Sequence, residues 1–190
     1  MKHAIACLII FLCFSCTVSA KPPNILIFLA DDLGWADLGF QGSSDIRTPN
    51  IDQLAARSIQ FTDGHVTASV CSPSRAGLLT GRYQQRFGHE ANTPPPDQGM
   101  DLNQQTMADA LKNRGYRTGL VGKWHLGEGK EHDPAGVDYW SILPGQGDYF
   151  DPHMIEMGVE HELRGYTTDL ITEQCINCLL YTSPSPRDKR

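Results

Sequence analysis

The sequence predicts an α/β layered fold with a largely parallel sheet, and three observations carry that expectation. Asn24-Ile25-Leu26-Ile27-Phe28-Leu29-Ala30 is a short, continuously apolar run closed by Asp31 and Asp32, the pattern of a strand buried on both faces. Arg117-Thr118-Gly119-Leu120-Val121-Gly122 also reads as a buried strand. Between them lie stretches with helix punctuation, and strand and helix in alternation point to βαβ construction.

The elements follow in order. A glycine-rich loop runs from Gly34 to Gly42. Thr48-Pro49 then supplies a capping residue and a proline at the first helical position, so a short helix is expected through Arg57. Ile59 to Val66 reads as the next strand. Ser72 is placed to cap, and Pro73 to open, a helix after Cys71 that stops near Gly81. Thr106 to Arg114 sets Met107, Ala110 and Leu111 at helical spacing before Gly115. Residues 128–160 are rich in Gly, Pro, Asp and aromatics and read as a long functional loop region, after which Tyr166 to Cys175 is helix-like.

Both ends are set aside from the fold. Lys2 and His3 precede an apolar stretch from Ala4 to Phe14, and Val18-Ser19-Ala20 offers small residues for cleavage. Residues 1–20 therefore read as a secretory signal, too short for a stable membrane anchor, and export to periplasm or exterior is expected. A lipid-modified Cys16 is the other reading, but Cys13-Phe14-Ser15 makes a poor lipobox. Residues 178–190, beginning Cys178-Leu179-Leu180-Tyr181-Thr182-Ser183-Pro184, resemble a translated sequencing adapter; a Ser/Pro-rich native tail is the alternative. On the adapter reading, 21–177 is the amino-terminal part of a longer catalytic domain.

The formal net charge is −6. Setting the ends aside deepens that acidic excess, which argues against nucleic acid or an anionic membrane as partner. An anionic substrate would have to be drawn by a local cationic site. Of six cysteines, Cys7, Cys13 and Cys16 lie in the expected signal and Cys178 in the tail. Cys71 and Cys175 do not make a disulfide framework.

Cys71 opens the run Cys71-Ser72-Pro73-Ser74-Arg75-Ala76-Gly77-Leu78-Leu79-Thr80-Gly81-Arg82. This run resembles the signature of the type I sulfatases, Cys-x-Pro-x-Arg followed by a Gly-Leu-Leu-Thr-Gly-Arg-like helix. Two further segments match that family: Asp31-Asp32 after the first apolar run, and Gly122-Lys123-Trp124-His125-Leu126-Gly127. The resemblance spans about residues 22–177 and implies a truncated alkaline phosphatase-like fold with a mostly parallel sheet.

It also implies chemistry. In the family the cysteine is oxidised by a formylglycine-generating or equivalent maturation enzyme, and the aldehyde is hydrated. One hydroxyl then takes the sulfuryl group and the other, once deprotonated, expels sulfate, so the nucleophile carries its own release step. Cys71 would be that residue. Asp31, Asp32 and residue 71 would hold a divalent cation, Ca²⁺ or Mg²⁺, for which hard oxygen ligands suit either. Arg75 shares a helical face with Cys71 and would hold the diol or a sulfate oxygen. Lys123 and His125, two apart in extended backbone, reach one pocket: Lys123 for sulfate oxygens, His125 for the diol. The family's other metal and substrate residues fall beyond residue 177, so the fragment alone is expected to be inactive.

Asp138-Tyr139-Trp140 and Leu143 to Phe150 resemble a segment of bacterial polysaccharide sulfatases, which implies a sulfated glycan or small sulfate ester as substrate. Aromatics there either stack on sugar or pack a loop. His132, His153 and His161 receive no role. A formylglycine-dependent phosphonate or phosphodiester hydrolase of the same superfamily shares every motif read so far. A degenerate secreted carbohydrate-binding protein would not need Asp31, Asp32, Cys71, Arg75, Lys123 and His125 together.

Overall fold

A computed structural model describes residues 22–92, 99–134 and 136–182. The expected signal at 1–20 and the tail from residue 183 onward lie outside the described residues. The chain divides into two units, one ending at Asp31 and one beginning at Asp32.

In the first unit the expected strand at 24–30 is not formed. The segment is irregular and its side chains are open to solvent, Phe28 by 80%. The physical reason is that a strand exists only beside a partner ladder, and among the described residues none is paired with it.

The second unit carries four helices and four strands among its described residues. α1 (Pro49–Ala55) follows Thr48 as expected, with Pro49 in the first turn. The strand expected from Ile59 to Val66 is also absent: Ile59 is 86% and Phe61 84% exposed, and the backbone turns instead. α2 (Cys71–Thr80) begins at Cys71 itself, not after it. Val70 is the capping position, and Ser72 does not cap because its hydroxyl is engaged elsewhere. Pro73 is tolerated in the first turn, where an N–H would lack an intrahelical acceptor anyway. Gly81 ends the helix in the left-handed conformation (φ 63°).

α3 (Met107–Lys112) starts with a reciprocal capping box. The Asp109 N–H donates to Thr106 Oγ1 at 3.3 Å, and the Thr106 N–H donates to Asp109 Oδ2 at 2.8 Å. The expected strand after it forms as β1 (Gly119–Lys123). It runs parallel to β2 (Tyr139–Leu143), with Gly119 opposite Tyr139 and Lys123 opposite Leu143. Asp138 pins the start of this pair: Thr118 N–H donates to its Oδ2 at 2.9 Å, and Lys112 Nζ lies 3.0 Å from its Oδ1.

β3 (His153–Glu156) is antiparallel to β2, and β4 (Val159–Glu162) is antiparallel to β3. The sheet order is β1-β2-β3-β4, so the fold is α/β with a mixed sheet. Much of 128–160, expected as loop, is therefore sheet. The signal was weak because the β3–β4 turn is Met157-Gly158 (φ 47° and 82°) rather than an Asn-Gly pair. α4 (Thr167–Thr182) continues past Cys175, where a stop was expected. It packs on the sheet through Ile171 beside Gly122 and through Ser141, whose hydroxyl donates to Gln174 Oε1 at 3.1 Å. The core joins Ala76 of α2 to Met100, Trp124, Leu126, Trp140 and Ile142. Burying each of the larger apolar side chains contributes about 1.5–3 kcal/mol.

Candidate active site

The segment that leaves β1 sorts its side chains by alternation. Trp124 and Leu126 are buried in the core, while Lys123 and His125 are only half-buried on the other side. Gly122 has φ 108°, a conformation that a side chain would strain. His125 is itself left-handed (φ 55°), so the chain turns sharply just past the strand's carboxyl end.

α2 brings the signature residues to this same edge. Arg75 donates from Nη1 to the Lys123 carbonyl at 2.6 Å, tying the first turn of α2 to the end of β1 across 48 residues of sequence. Lys123 in turn donates from Nζ to Gln146 Oε1 at 2.6 Å. At the helix start, Cys71 Sγ lies 3.9 Å from Asp32 Oδ1, the long end of a thiol contact. Asp32 is left-handed (φ 53°), a conformation aspartate accepts more readily than most residues. The structure thus links Asp32 with Cys71, and Arg75 with Lys123, through one helical turn. His125 follows two residues after Lys123. Asp31 precedes Asp32 in the chain and closes the first unit.

Close packing holds α2 in place. Gly77 faces the incoming chain, and a Cβ there would collide with Thr67 Oγ1. Sequence reasoning missed several supporting residues. Gln146 lies inside the Leu143–Phe150 segment, where the sequence suggests no role for it. Asn92 accepts at Oδ1 from the Ser72 N–H at 3.0 Å, and His89 Nε2 lies 2.7 Å from Ser72 Oγ. No local pattern signals such pairings, which join residues about twenty apart through the fold.

The aromatic segment divides in two. Trp140 is core, and Tyr139 donates its hydroxyl to Glu156 Oε1 at 2.8 Å. Tyr149 stays open, and Phe150 packs on Tyr166 with ring centroids 5.3 Å apart. A cavity of about 420 Å³ opens beside Trp124, Leu126, Asp101, Thr106 and His132. None of the predicted site residues lines it, so it is no substitute for the cluster at Cys71.

The sulfatase family profile matches residues 23–183. The chain belongs to the sulfatase family. It is 51% identical over 114 residues to arylsulfatase A of Homo sapiens, covering 59% of this chain and 22% of that protein. It is 36% identical over 180 residues to N-acetylglucosamine-6-O-sulfatase of Bacteroides thetaiotaomicron, covering 87% of this chain and 31% of that one. Among solved structures it resembles a protein in complex with its substrate D-glucosamine-2-N,6-O-disulfate. That match has a TM-score of 0.76 and 35% identity, over 88% of this chain and 32% of the other. The sulfatase chain described here thus spans less than a third of the curated relatives' lengths.

Family membership implies a divalent metal and a formylglycine. The donor chemistry fits both. Cys71 Sγ stands where a formylglycine hydroxyl oxygen would stand, and Asp32 beside it offers a hard carboxylate oxygen. The thiol also sits at the start of a helix, where the N-terminal end of the dipole favours negative charge. Among the described residues no helix is long and apolar enough to cross a membrane.

Proposed function

We propose that this sulfatase chain contributes to the hydrolysis of sulfate esters of sulfated carbohydrates, with residue 71 acting as formylglycine. The observation that carries the reading is the linkage of Asp32 to Cys71 and of Arg75 to Lys123 across one turn of α2. The formylglycine supplies a hydrated aldehyde as nucleophile and a bound divalent cation supplies Lewis acidity. That cation would be Ca²⁺, and Asp31, Asp32 and residue 71 would be among the residues that hold it.

The chain's own residues do the rest. Arg75 donates from Nη1 to the Lys123 carbonyl, which sets its planar, permanently charged guanidinium at the strand end, where it would meet an anion. Lys123, hydrogen-bonded to Gln146, holds its ammonium beyond the strand end as a point charge for sulfate oxygens. His125 would serve through its imidazole as the proton acceptor for the hydrated residue 71. The glycan preference is supported by the sulfated amino sugars of two relatives and by the exposed ring of Tyr149.

Export through a signal at 1–20, maturation by a formylglycine-generating or equivalent enzyme, and a non-native origin for 178–190 belong to the same proposal. Tryptic mass spectrometry of protein made in a maturation-competent host tests its centre, together with aryl sulfate turnover by the whole protein. Formylglycine at residue 71 with metal-dependent sulfate release is the expected result. An intact thiol in that host, or faster turnover of a phosphodiester than of the sulfate, overturns it.

A further inference from the structure

α2 does not cap itself. Val70 carries no side-chain acceptor, so the helix's early N–H groups need partners from elsewhere. The returning chain at 84–92 supplies them. Asn92 Oδ1 accepts from the Ser72 N–H at 3.0 Å, and the Ser72 hydroxyl bonds His89 Nε2 at 2.7 Å. Ser72 is fully buried and His89 is 4% exposed. On the other side of residue 71, buried Gln84 donates from Nε2 to the Thr67 carbonyl at 3.2 Å. One short segment therefore grips the backbone both before and after the reactive position.

The Ser72–His89 pair is closed off from solvent. Burial holds the imidazole below its ordinary pKa, so the ring is neutral near pH 7. In a neutral imidazole one nitrogen donates and the other accepts, and the Ser72 hydroxyl, which can do either, bonds Nε2 in both tautomers. Ser72 is then held at both its amide and its hydroxyl, and the peptide plane joining it to residue 71 cannot rotate freely. Misplacing a reactive group by about 1 Å can cost a hundredfold in rate.

We propose that Ser72, His89 and Asn92 are positioning residues that aim the side chain of residue 71. This rests on the sulfatase reading for its chemistry, but the clamp itself is a feature of the fold. His89 and Asn92 lie outside the Cys71–Arg75 signature, and formylglycine content read beside kcat separates aim from maturation.

The test uses Asn92→Ala, Asn92→Gln, Asn92→Asp and His89→Gln in the whole protein. Formylglycine content is measured by mass spectrometry, kcat per formylglycine and KM with an aryl sulfate, and amide hydrogen exchange at Ser72. Asn92→Ala should lower kcat about tenfold with KM held within about twofold. Asn92→Gln, which folds readily but shifts the acceptor by a methylene, should fall in the same direction. Asn92→Asp keeps the acceptor and suits a helix start, so kcat should return to within about threefold of the parent. His89→Gln keeps a polar group near the Nε2 position and should lose less than Asn92→Ala. The proposal is overturned by unchanged kcat in Asn92→Gln, by an equal loss in Asn92→Asp and Asn92→Ala, or by a change confined to KM. If the parent releases no sulfate, the sulfatase reading fails, and Ser72 exchange alone decides the clamp. An unprotected Ser72 amide in the parent would then dispose of it.

Discussion

The first turn of α2 and the stretch from Ile59 to Val66 are close in sequence and opposite in character. The helix start is polar yet buried, with Ser72 and His89 sealed from solvent and bonded to each other. The earlier stretch leaves its apolar side chains open, with Ile59, Phe61 and Val66 turned to water. Order in this chain follows satisfied partners rather than hydrophobicity. Buried polar groups that find acceptors define one geometry, whereas an apolar run without a ladder defines none.

The harshest way to break the contrast is at the proposed nucleophile, residue 71. Cys71→Ser in the whole protein, made where the maturation enzyme acts on thiols, should lower turnover by roughly a thousandfold or more. A stable sulfated serine should accumulate, visible as a mass increment on the tryptic peptide. Repeated turnover by that variant would remove the two-hydroxyl account. Next in size, Arg75→Ala or Lys123→Ala should cost roughly a hundredfold in kcat, about 3 kcal/mol, if each meets charge that develops in the transition state. Steady-state kinetics that match the parent would withdraw the residue concerned from catalysis.

Packing under α2 gives a smaller effect. Gly77→Ala forces a methyl against Thr67 Oγ1 and should destabilise the protein by about 1–3 kcal/mol in urea unfolding. No change would mean that the 67–77 contact yields cheaply.

Acid sharpens the comparison at the base of β1. The Thr118 N–H, with Lys112 beside it, holds the Asp138 carboxyl down to about 2 from its ordinary 3.8. A depressed carboxylate stabilises the fold above its unfolded value. That contribution fades as pH falls from about 4 through about 2. Asp138→Asn should therefore flatten the acid limb of stability in that window and leave its pH dependence above 5 unaltered. A limb as steep as the parent's would deny the shift. Mildest of all, Phe61→Ser should move stability by no more than about 0.5 kcal/mol, because the ring buries little. A large loss there would show that the open stretch is packed after all.

Much of this was legible in the sequence and some was not. The candidates Cys71, Arg75, Lys123 and His125 could be named because their motifs are contiguous, and β1 was legible because its apolar run has a neighbour at Tyr139–Leu143. The runs at 24–30 and 59–66 misled, since a strand pattern says nothing about who will pair with it. The cap on α2 was misassigned to Ser72 because local rules look a few residues away, while the acceptor, Asn92, comes from the chain's return. The β3–β4 hairpin was hidden by a Met-Gly turn that carries little signal. Pairings made by the fold leave no mark in a short window.

The bond from Arg75 to the Lys123 carbonyl bears on any attempt to transplant this site into a new scaffold. A guanidinium that serves as a strut cannot be swapped for an ammonium without loosening the frame. Copying only the reactive residue and its flanking pattern would leave that strut with nothing to brace. A successful graft would have to move the helix, the strand end and the spacing between them as one rigid piece.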